Sequence, residues 1–133
     1  MTLKDKTILL VEDDQLIGEM LNRRLKIEGA KIIWASDGED ALNKIKLEKV
    51  DFIMTDLMMP KIDGVEMLKK IKQMPIVKDI PFMMLTNRSV RPEEVEYMKK
   101  IGLDDYIVKS DVDLKEVIQR ILDVLEKKEA DNK

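Results

Sequence analysis

Five short apolar runs, each followed by a longer amphipathic segment, are the feature that most constrains how this chain can fold. The runs are ILLV at 8–11, IIWA at 32–35, FIM at 52–54, FMML at 82–85 and YIV at 106–108. Apolar and polar residues do not alternate within them, as they would in a strand with one solvated face. Near-continuous apolar runs of this length are typical of parallel strands that helices cover on both faces.

The segments between the runs have the apolar spacing of helices. Gly29 is placed to end the first helix, the stretch from Ser36 to Glu39 has the form of a capping box, and Pro75 ends the third. The apolar positions that share a face in each helix are Ile17, Met20, Leu21 and Leu25; Ala41, Leu42 and Ile45; Val65, Leu68 and Ile71; Val95, Met98 and Ile101; and Leu114, Val117, Ile118, Ile121, Leu122 and Leu125.

Five successive β-α units predict an α/β fold with an open, doubly wound parallel sheet of five strands. A chain of 133 residues has room for one such domain, and no linker or internal repeat divides it. We therefore expect one domain over residues 1–126. The almost entirely polar segment 127–133 is expected to be a frayed tail.

The composition excludes several kinds of chemistry. The chain has no histidine and no cysteine, so it has no serine–histidine triad, imidazole base, thiol nucleophile or zinc–thiolate site. A net charge of −3 argues against a nucleic-acid surface. No apolar stretch approaches the roughly 18 residues of a membrane helix, so we expect a cytoplasmic protein that contacts neither nucleic acid nor membrane.

Reactive side chains follow four of the five runs. In open α/β sheets, ligands bind beyond the carboxyl ends of the strands, so these side chains lie where a ligand would bind. They are Glu12 and Asp13 after the first, Asp56 after the third, Thr86 after the fourth and Lys109 after the fifth. Each alone could be a helix cap, a turn residue or a solvated charge. Together, acids held this close require a cation, and oxygen ligands favour Mg²⁺ or Mn²⁺. The set matches the needs of phosphoryl transfer, with Asp56 as the nucleophile.

Four motifs in this order resemble those of a bacterial two-component response-regulator receiver domain, of the chemotaxis-regulator type. They are ILLVEDD, DFIMTDLMMPKIDG, PFMMLTN and YIVK, and the resemblance covers about residues 7–125. It implies a flavodoxin-like sheet of order 2-1-3-4-5. It also implies a switch protein that catalyses its own aspartyl phosphorylation and dephosphorylation, rather than an enzyme acting on other substrates.

The resemblance also implies a role for each site residue. Asp56 corresponds to the phosphorylated aspartate, and Glu12, Asp13, Asp56 and the main-chain carbonyl of Met58 correspond to the Mg²⁺ ligands. Thr86 corresponds to the switch hydroxyl, Tyr106 to the switch aromatic and Lys109 to the cation that pairs with the phosphoryl group.

The resemblance also implies which partners this chain would have. The donor would be a sensor histidine kinase, a histidine phosphotransfer protein or a small phosphodonor such as acetyl phosphate. The chain has no histidine, so the phosphohistidine must come from another molecule. The output surface would comprise the fourth helix, fifth strand and fifth helix, which could bind a downstream target or form a homodimer.

Two departures from the family pattern lead to hypotheses. Ser110 follows Lys109, where the family usually has proline after a cis bond, and we expect the Lys109–Ser110 bond to be cis nonetheless. Met58 and Arg88 stand at positions that tune dephosphorylation in the family. Because a thioether cannot orient water as an amide can, we expect slow hydrolysis of the phosphorylated form.

Two alternatives from other classes remain open. One is a Mg²⁺-dependent aspartyl phosphatase or phosphotransferase of the haloacid-dehalogenase kind, although EDDQ at 12–15 does not supply the Asp-x-Asp that it requires directly after the first strand. The other is a degenerate receiver that acts only as a docking module.

Overall fold

Five parallel strands form a single sheet at the centre of the computed structural model, which describes residues 2–131. The strand order is β2-β1-β3-β4-β5, so the predicted fold class and order are confirmed. The strands are β1 Thr7–Val11, β2 Lys31–Ala35, β3 Phe52–Thr55, β4 Phe82–Thr86 and β5 Asp105–Val108. The helices are α1 Gln15–Ile27, α2 Gly38–Leu47, α3 Gly64–Lys72, α4 Pro92–Ile101 and α5 Leu114–Asp131.

The helices cover both faces of the sheet, which explains why the strands read as continuous apolar runs. Helices α2, α3 and α4 bury residues such as Ala41, Leu68 and Met98 on one face. Helices α1 and α5 bury residues such as Leu25 and Ile121 on the other. The three central strands are almost completely buried, whereas β2 and β5 form the edges.

The helices differ from the predictions in some details. The cap of α2 is Asp37 rather than Ser36, because the Asp37 carboxylate accepts the Asp40 N–H at 2.8 Å. Met20 was expected on the buried face of α1 but is 49% exposed. Helix α5 extends to Asp131 and so includes residues 127–131 of the predicted tail. The rest of the predicted tail, residues 132 and 133, lies outside the described residues.

No helix among residues 2–131 is both long enough and apolar enough to cross a membrane.

Candidate functional site

The predicted site residues lie at the carboxyl ends of the parallel strands, at one end of the sheet. Because Val11 of β1 pairs with Thr55 of β3, the residues that follow them, Glu12 and Asp56, leave adjacent strands side by side. Thr86 is the last residue of β4, and Lys109 comes directly after β5. The doubly wound topology thus places groups from four strands at one end of the sheet.

Three carboxylates form the centre of this site. Glu12, Asp13 and Asp56 each offer one oxygen, and these oxygens lie within 4.8 Å of one another. Glu12 is buried, Asp56 is half-buried and Asp13 is exposed, so the cluster opens to solvent on the Asp13 side. Burial raises the pKa of Glu12, and the negative charge of Asp56 adds to that effect, while the contact with Lys109 opposes it.

Lys109 supplies the positive charge of the site. Its Nζ donates to Glu12 Oε1 at 2.7 Å and lies 3.5 Å from Asp56 Oδ2. The side chains of Lys109 and Glu12 are only 14% and 3% exposed, so this ion pair is shielded from water. The structure therefore joins the fifth strand to the acids of the first and third, as the sequence predicted.

The expected cis bond between Lys109 and Ser110 is wrong. No peptide bond among residues 2–131 is cis, yet Lys109 still reaches Asp56. Serine lacks the ring that lowers the cost of a cis bond before proline, so a cis bond here would cost roughly 3 kcal/mol. A 3₁₀ turn at Lys109–Asp111 occupies this position instead, and the four-carbon lysine stem reaches back to the acids.

The loop after β3 holds Asp56 through close backbone packing. A Cβ added at Gly64 would lie 2.7 Å from the Asp56 carbonyl oxygen, so only glycine fits there without a shift. Gly64 N–H donates to the Leu57 carbonyl at 2.8 Å, and Asp63 caps α3 by accepting the Glu66 N–H. The stretch from Asp56 to Gly64 is thus a tight return from the strand end into α3.

Met58 contacts the site through its main chain and side chain separately. Its N–H donates to Asp56 Oδ1 at 3.3 Å. Its side chain is 55% exposed, and its sulfur accepts a hydrogen bond from Arg88 Nη1 at 3.3 Å. Met58 and Arg88 therefore touch each other across the two loops that flank Asp56.

Arg88 also connects Thr86 to Tyr106. The Arg88 N–H donates to the buried Thr86 hydroxyl oxygen at 3.3 Å, and the Tyr106 hydroxyl donates to the Arg88 carbonyl at 2.6 Å. Burial raises the pKa of Tyr106. Thr86 and Tyr106, predicted separately from their motifs, are thus bonded to the same residue of the β4–α4 loop.

The donor atoms available fit a hard divalent cation. All three acidic side chains offer carboxylate oxygens, and Mg²⁺ in proteins is bound by one or two carboxylates plus water or substrate oxygens. The open side at Asp13 leaves room for such oxygens. The residues present are therefore compatible with Mg²⁺.

Sequence reasoning missed one residue beside this site. The indole N–H of Trp34 donates to the Glu12 main-chain carbonyl at 3.0 Å. The partners lie 22 positions apart, so no local motif indicates the bond. The predicted pairing of β1 with β2, together with a lone tryptophan near the end of β2, was the only available signal.

Comparison with known proteins identifies the family. The model of the response regulator receiver domain matches residues 8–122. PhoP, the alkaline phosphatase synthesis transcriptional regulatory protein of Bacillus subtilis, is 39% identical over 105 residues, covering 79% of this chain and 42% of PhoP. The transcriptional regulatory protein CpxR of Escherichia coli is 36% identical over 118 residues, covering 89% of this chain and 48% of CpxR. This chain thus spans about half the length of these relatives.

Solved structures resemble the whole fold. A CheY-like receiver domain protein from Methanospirillum hungatei superposes with a TM-score of 0.86 at 26% identity, covering 96% of this chain and 99% of that one. A response regulator from Chloroflexus aurantiacus, described as putative, has a TM-score of 0.83 at 31% identity, covering 92% and 99%. Nearly all of each of these structures is matched by this chain.

Proposed function

Since this chain belongs to the response regulator receiver domain family of two-component systems, we propose that Asp56 is its phosphoryl acceptor. The observation that carries the proposal is the position of Asp56 between acids and a lysine. Its carboxylate shares the 4.8 Å cluster with Glu12 and Asp13 and lies 3.5 Å from Lys109 Nζ. A nucleophile in phosphoryl transfer needs this surrounding positive charge, because the transferred group carries several negative oxygens.

The transfer reaction follows from these contacts. An Asp56 carboxylate oxygen attacks phosphorus and forms a new P–O bond, and the bond from phosphorus to the donor breaks. The electron pair of that bond leaves with the donor's imidazole nitrogen or, for acetyl phosphate, with acetate. Lys109 Nζ is close enough to Asp56 to move from the carboxylates to the phosphoryl oxygens. The protein thus acts on its own side chain, as a switch, and we infer that it also assists the later hydrolysis.

Glu12, Asp13 and Asp56, with the main-chain carbonyl of Met58, are the proposed ligands of Mg²⁺, and Mn²⁺ could replace it. The bound ion would supply positive charge against the phosphoryl oxygens. Glu12 would release Lys109 from its present ion pair when another cation neutralises it, which frees the lysine for the phosphoryl group. Lys109 would therefore neutralise the acids before the ion binds and the phosphoryl oxygens afterwards.

The proposed switch is the pair Thr86 and Tyr106. The Thr86 hydroxyl oxygen accepts the Arg88 N–H, and a hydroxyl that accepts one bond can still donate its hydrogen to a phosphoryl oxygen. Movement of Thr86 toward Asp56 would pull the main chain of Arg88 with it, and the Arg88 carbonyl accepts the hydrogen bond from the Tyr106 hydroxyl. Tyr106 belongs to β5, so the change would reach the α4-β5-α5 surface. This surface is the proposed site for a downstream target or a homodimer.

The proposed donor is a sensor histidine kinase or a histidine phosphotransfer protein, and an apolar surface beside the site suits its approach. Leu16 and Met20 of α1 are 78% and 49% exposed. A cavity lined by Met20, Lys109 and Leu114 lies beside this surface, and its Lys109 contacts Glu12 and Asp56. The donor's histidine must reach Asp56, so the donor surface around that histidine would cover this part of α1.

Two glutamate variants test the approach of the donor. Met20→Glu should slow transfer from a histidine kinase that phosphorylates the unaltered chain, without changing phosphorylation by acetyl phosphate. Leu47→Glu is the control, because Leu47 is 83% exposed on α2, on the opposite face of the sheet. Equal rates for all three proteins with the kinase would contradict the proposed surface.

Phosphorylation by a small donor tests the main proposal. The chain is incubated with Mg²⁺ and acetyl phosphate and its intact mass is measured. One added phosphoryl group is expected on the unaltered chain and on Asp63→Asn, whose amide can still cap α3. Asp56→Asn should show none. No addition to the unaltered chain would favour a docking-only protein, and addition to Asp56→Asn would place the acceptor elsewhere.

A further inference from the structure

Trp34 is the only tryptophan of the chain and lies beside the acids rather than in the centre of the core. Strand β1 ends at Val11, yet the next peptide remains tied to β2. The Glu12 N–H donates to the Ala35 carbonyl at 3.1 Å, and the Glu12 carbonyl accepts the Trp34 indole N–H at 3.0 Å. The indole thus extends the β1–β2 contact by one residue, into the part of the chain that carries the acids.

The first turns of α1 are shaped to admit this ring. A Cβ added at Gly18 would lie 2.0 Å from Trp34 Cζ2, a distance that no side chain can adopt. Glycine inside a helix is destabilising by roughly 1 kcal/mol relative to alanine, so its presence here needs a reason. The ring packs where the Gly18 side chain would be, between β2 and the helix that starts at the Asp14 cap.

We infer that Trp34 is a positioning residue for the acid pair Glu12 and Asp13, and the inference rests on the proposed metal site. The carbonyl that the indole binds belongs to the peptide joining these two residues. Rotation of that peptide would change the directions in which both carboxylates point. Trp34 and Asp13 also line the same cavity of about 300 Å³ beside the acids.

The main chain of Trp34 is held independently of its ring. Lys44 Nζ donates to the Trp34 carbonyl at 2.8 Å and lies 3.1 Å from Asp40. Strand β2 also pairs with β1 along its whole length, with Leu10 opposite Trp34. Replacement of the indole therefore removes one hydrogen bond and some packing while the strand keeps its place.

The test is the affinity for Mg²⁺ alone, measured by calorimetric titration, together with thermal stability. Trp34→Phe keeps an aromatic ring over Gly18 but cannot donate to Glu12. The loss of one neutral hydrogen bond should weaken Mg²⁺ binding about five-fold. Gly18→Ala displaces the ring without changing its donor, and we expect it to weaken binding in the same direction.

Ile32→Val is the matched control for lost packing. Ile32 lies two residues before Trp34 in β2 and packs against the same core cluster, but it makes no bond to Glu12. It should lower the melting temperature and leave Mg²⁺ affinity unchanged. If Trp34→Phe behaves in the same way, Trp34 is only a packing residue and the inference is wrong.

Asp13→Asn separates this inference from the proposed metal site. If the unaltered chain binds Mg²⁺ and Asp13→Asn does not, the site exists and the Trp34 variants decide the inference. If the unaltered chain does not bind Mg²⁺, both the metal site and the inference fail. If Asp13→Asn binds as tightly as the unaltered chain, the metal lies elsewhere and both fail again.

Discussion

Replacement of Lys109 by methionine should destabilise the protein strongly when divalent ions are absent. Lys109 Nζ contacts Glu12 at 2.7 Å and Asp56 at 3.5 Å. Methionine keeps much of the stem but leaves Glu12, Asp13 and Asp56 clustered within 4.8 Å without a cation. Two unit charges at that distance repel by about 3.5 kcal/mol at an effective dielectric constant near 20.

The expected loss is about 3 kcal/mol in the free energy of unfolding at pH 7. Removal of one partner of a buried ion pair typically costs about 3–5 kcal/mol, and proton uptake by Glu12 limits the cost here. Burial already raises the pKa of Glu12, so the loss should shrink as the pH falls and Glu12 takes up a proton. A change of about 3 kcal/mol corresponds to roughly 10 °C in melting temperature for a chain of this size.

Urea unfolding followed by circular dichroism measures this loss, first in EDTA and then with Mg²⁺. Lys109 and the ion would neutralise the same oxygens, so Lys109→Met should bind Mg²⁺ more tightly than the unaltered chain. An ion present at about a hundred times its Kd stabilises the protein that binds it by about 2.7 kcal/mol. The difference in unfolding free energy between the two proteins should therefore be smaller with Mg²⁺ than in EDTA.

Lys128→Met is the matched control for the loss of a lysine ion pair. Lys128 Nζ lies 3.4 Å from Asp104, and both side chains are more exposed than those of Lys109, Glu12 and Asp56, so the loss should be under about 1 kcal/mol. It should not depend on Mg²⁺. The reasoning is refuted if Lys109→Met costs no more than this control in EDTA, or if Mg²⁺ leaves the gap unchanged.

Three further outcomes are expected from other parts of the structure. Met58→Asn combined with Arg88→Glu should speed loss of the phosphoryl group from Asp56 at least roughly tenfold, because an amide can orient water; intact-mass decay measures this, and equal decay contradicts it. Tyr106 should ionise above the usual tyrosine range, because burial raises its pKa. Only the unfolded state then ionises just above pH 10, so this contribution to stability falls as pH rises, and an alkaline absorbance titration against Tyr106→Phe should show the late step. Lys61 has φ of +69°, so Lys61→Val should be less stable than Lys61→Gly by about 1 kcal/mol in urea unfolding, and equal stabilities would show that this backbone carries no strain.

Much of the fold was predictable because it follows from burial. Strands covered on both faces must be apolar throughout, and parallel strands bring their carboxyl ends to one edge. The contacts of Lys109 with Glu12 and Asp56, which lie 97 and 53 positions away in the sequence, follow from that rule alone. The side chains that the structure brings together at the site could therefore be predicted from the residues after four of the runs.

The features that sequence reasoning missed depend on distant contacts or on choices between similar neighbours. Ser36 and Asp37 can both cap a helix. Asp37 is the cap because β2 runs to Ala35 and α2 begins at Gly38, which packs against Ile62. The Lys109–Ser110 bond is trans, and the lysine side chain still reaches Glu12 and Asp56. No pattern within either segment carries this information.

The contact between Trp34 and Glu12 also gives the chain a built-in optical reporter. Tryptophan emission depends on the polarity, charge and hydrogen bonding around the indole, and here all of the emission comes from one ring bonded to the peptide of the acids. The two tyrosines, Tyr97 and Tyr106, lie on α4 and β5, and selective excitation of the indole does not excite them. Indole emission therefore reports on events at the acids in the unlabelled protein, without a contribution from the tyrosines of α4 and β5.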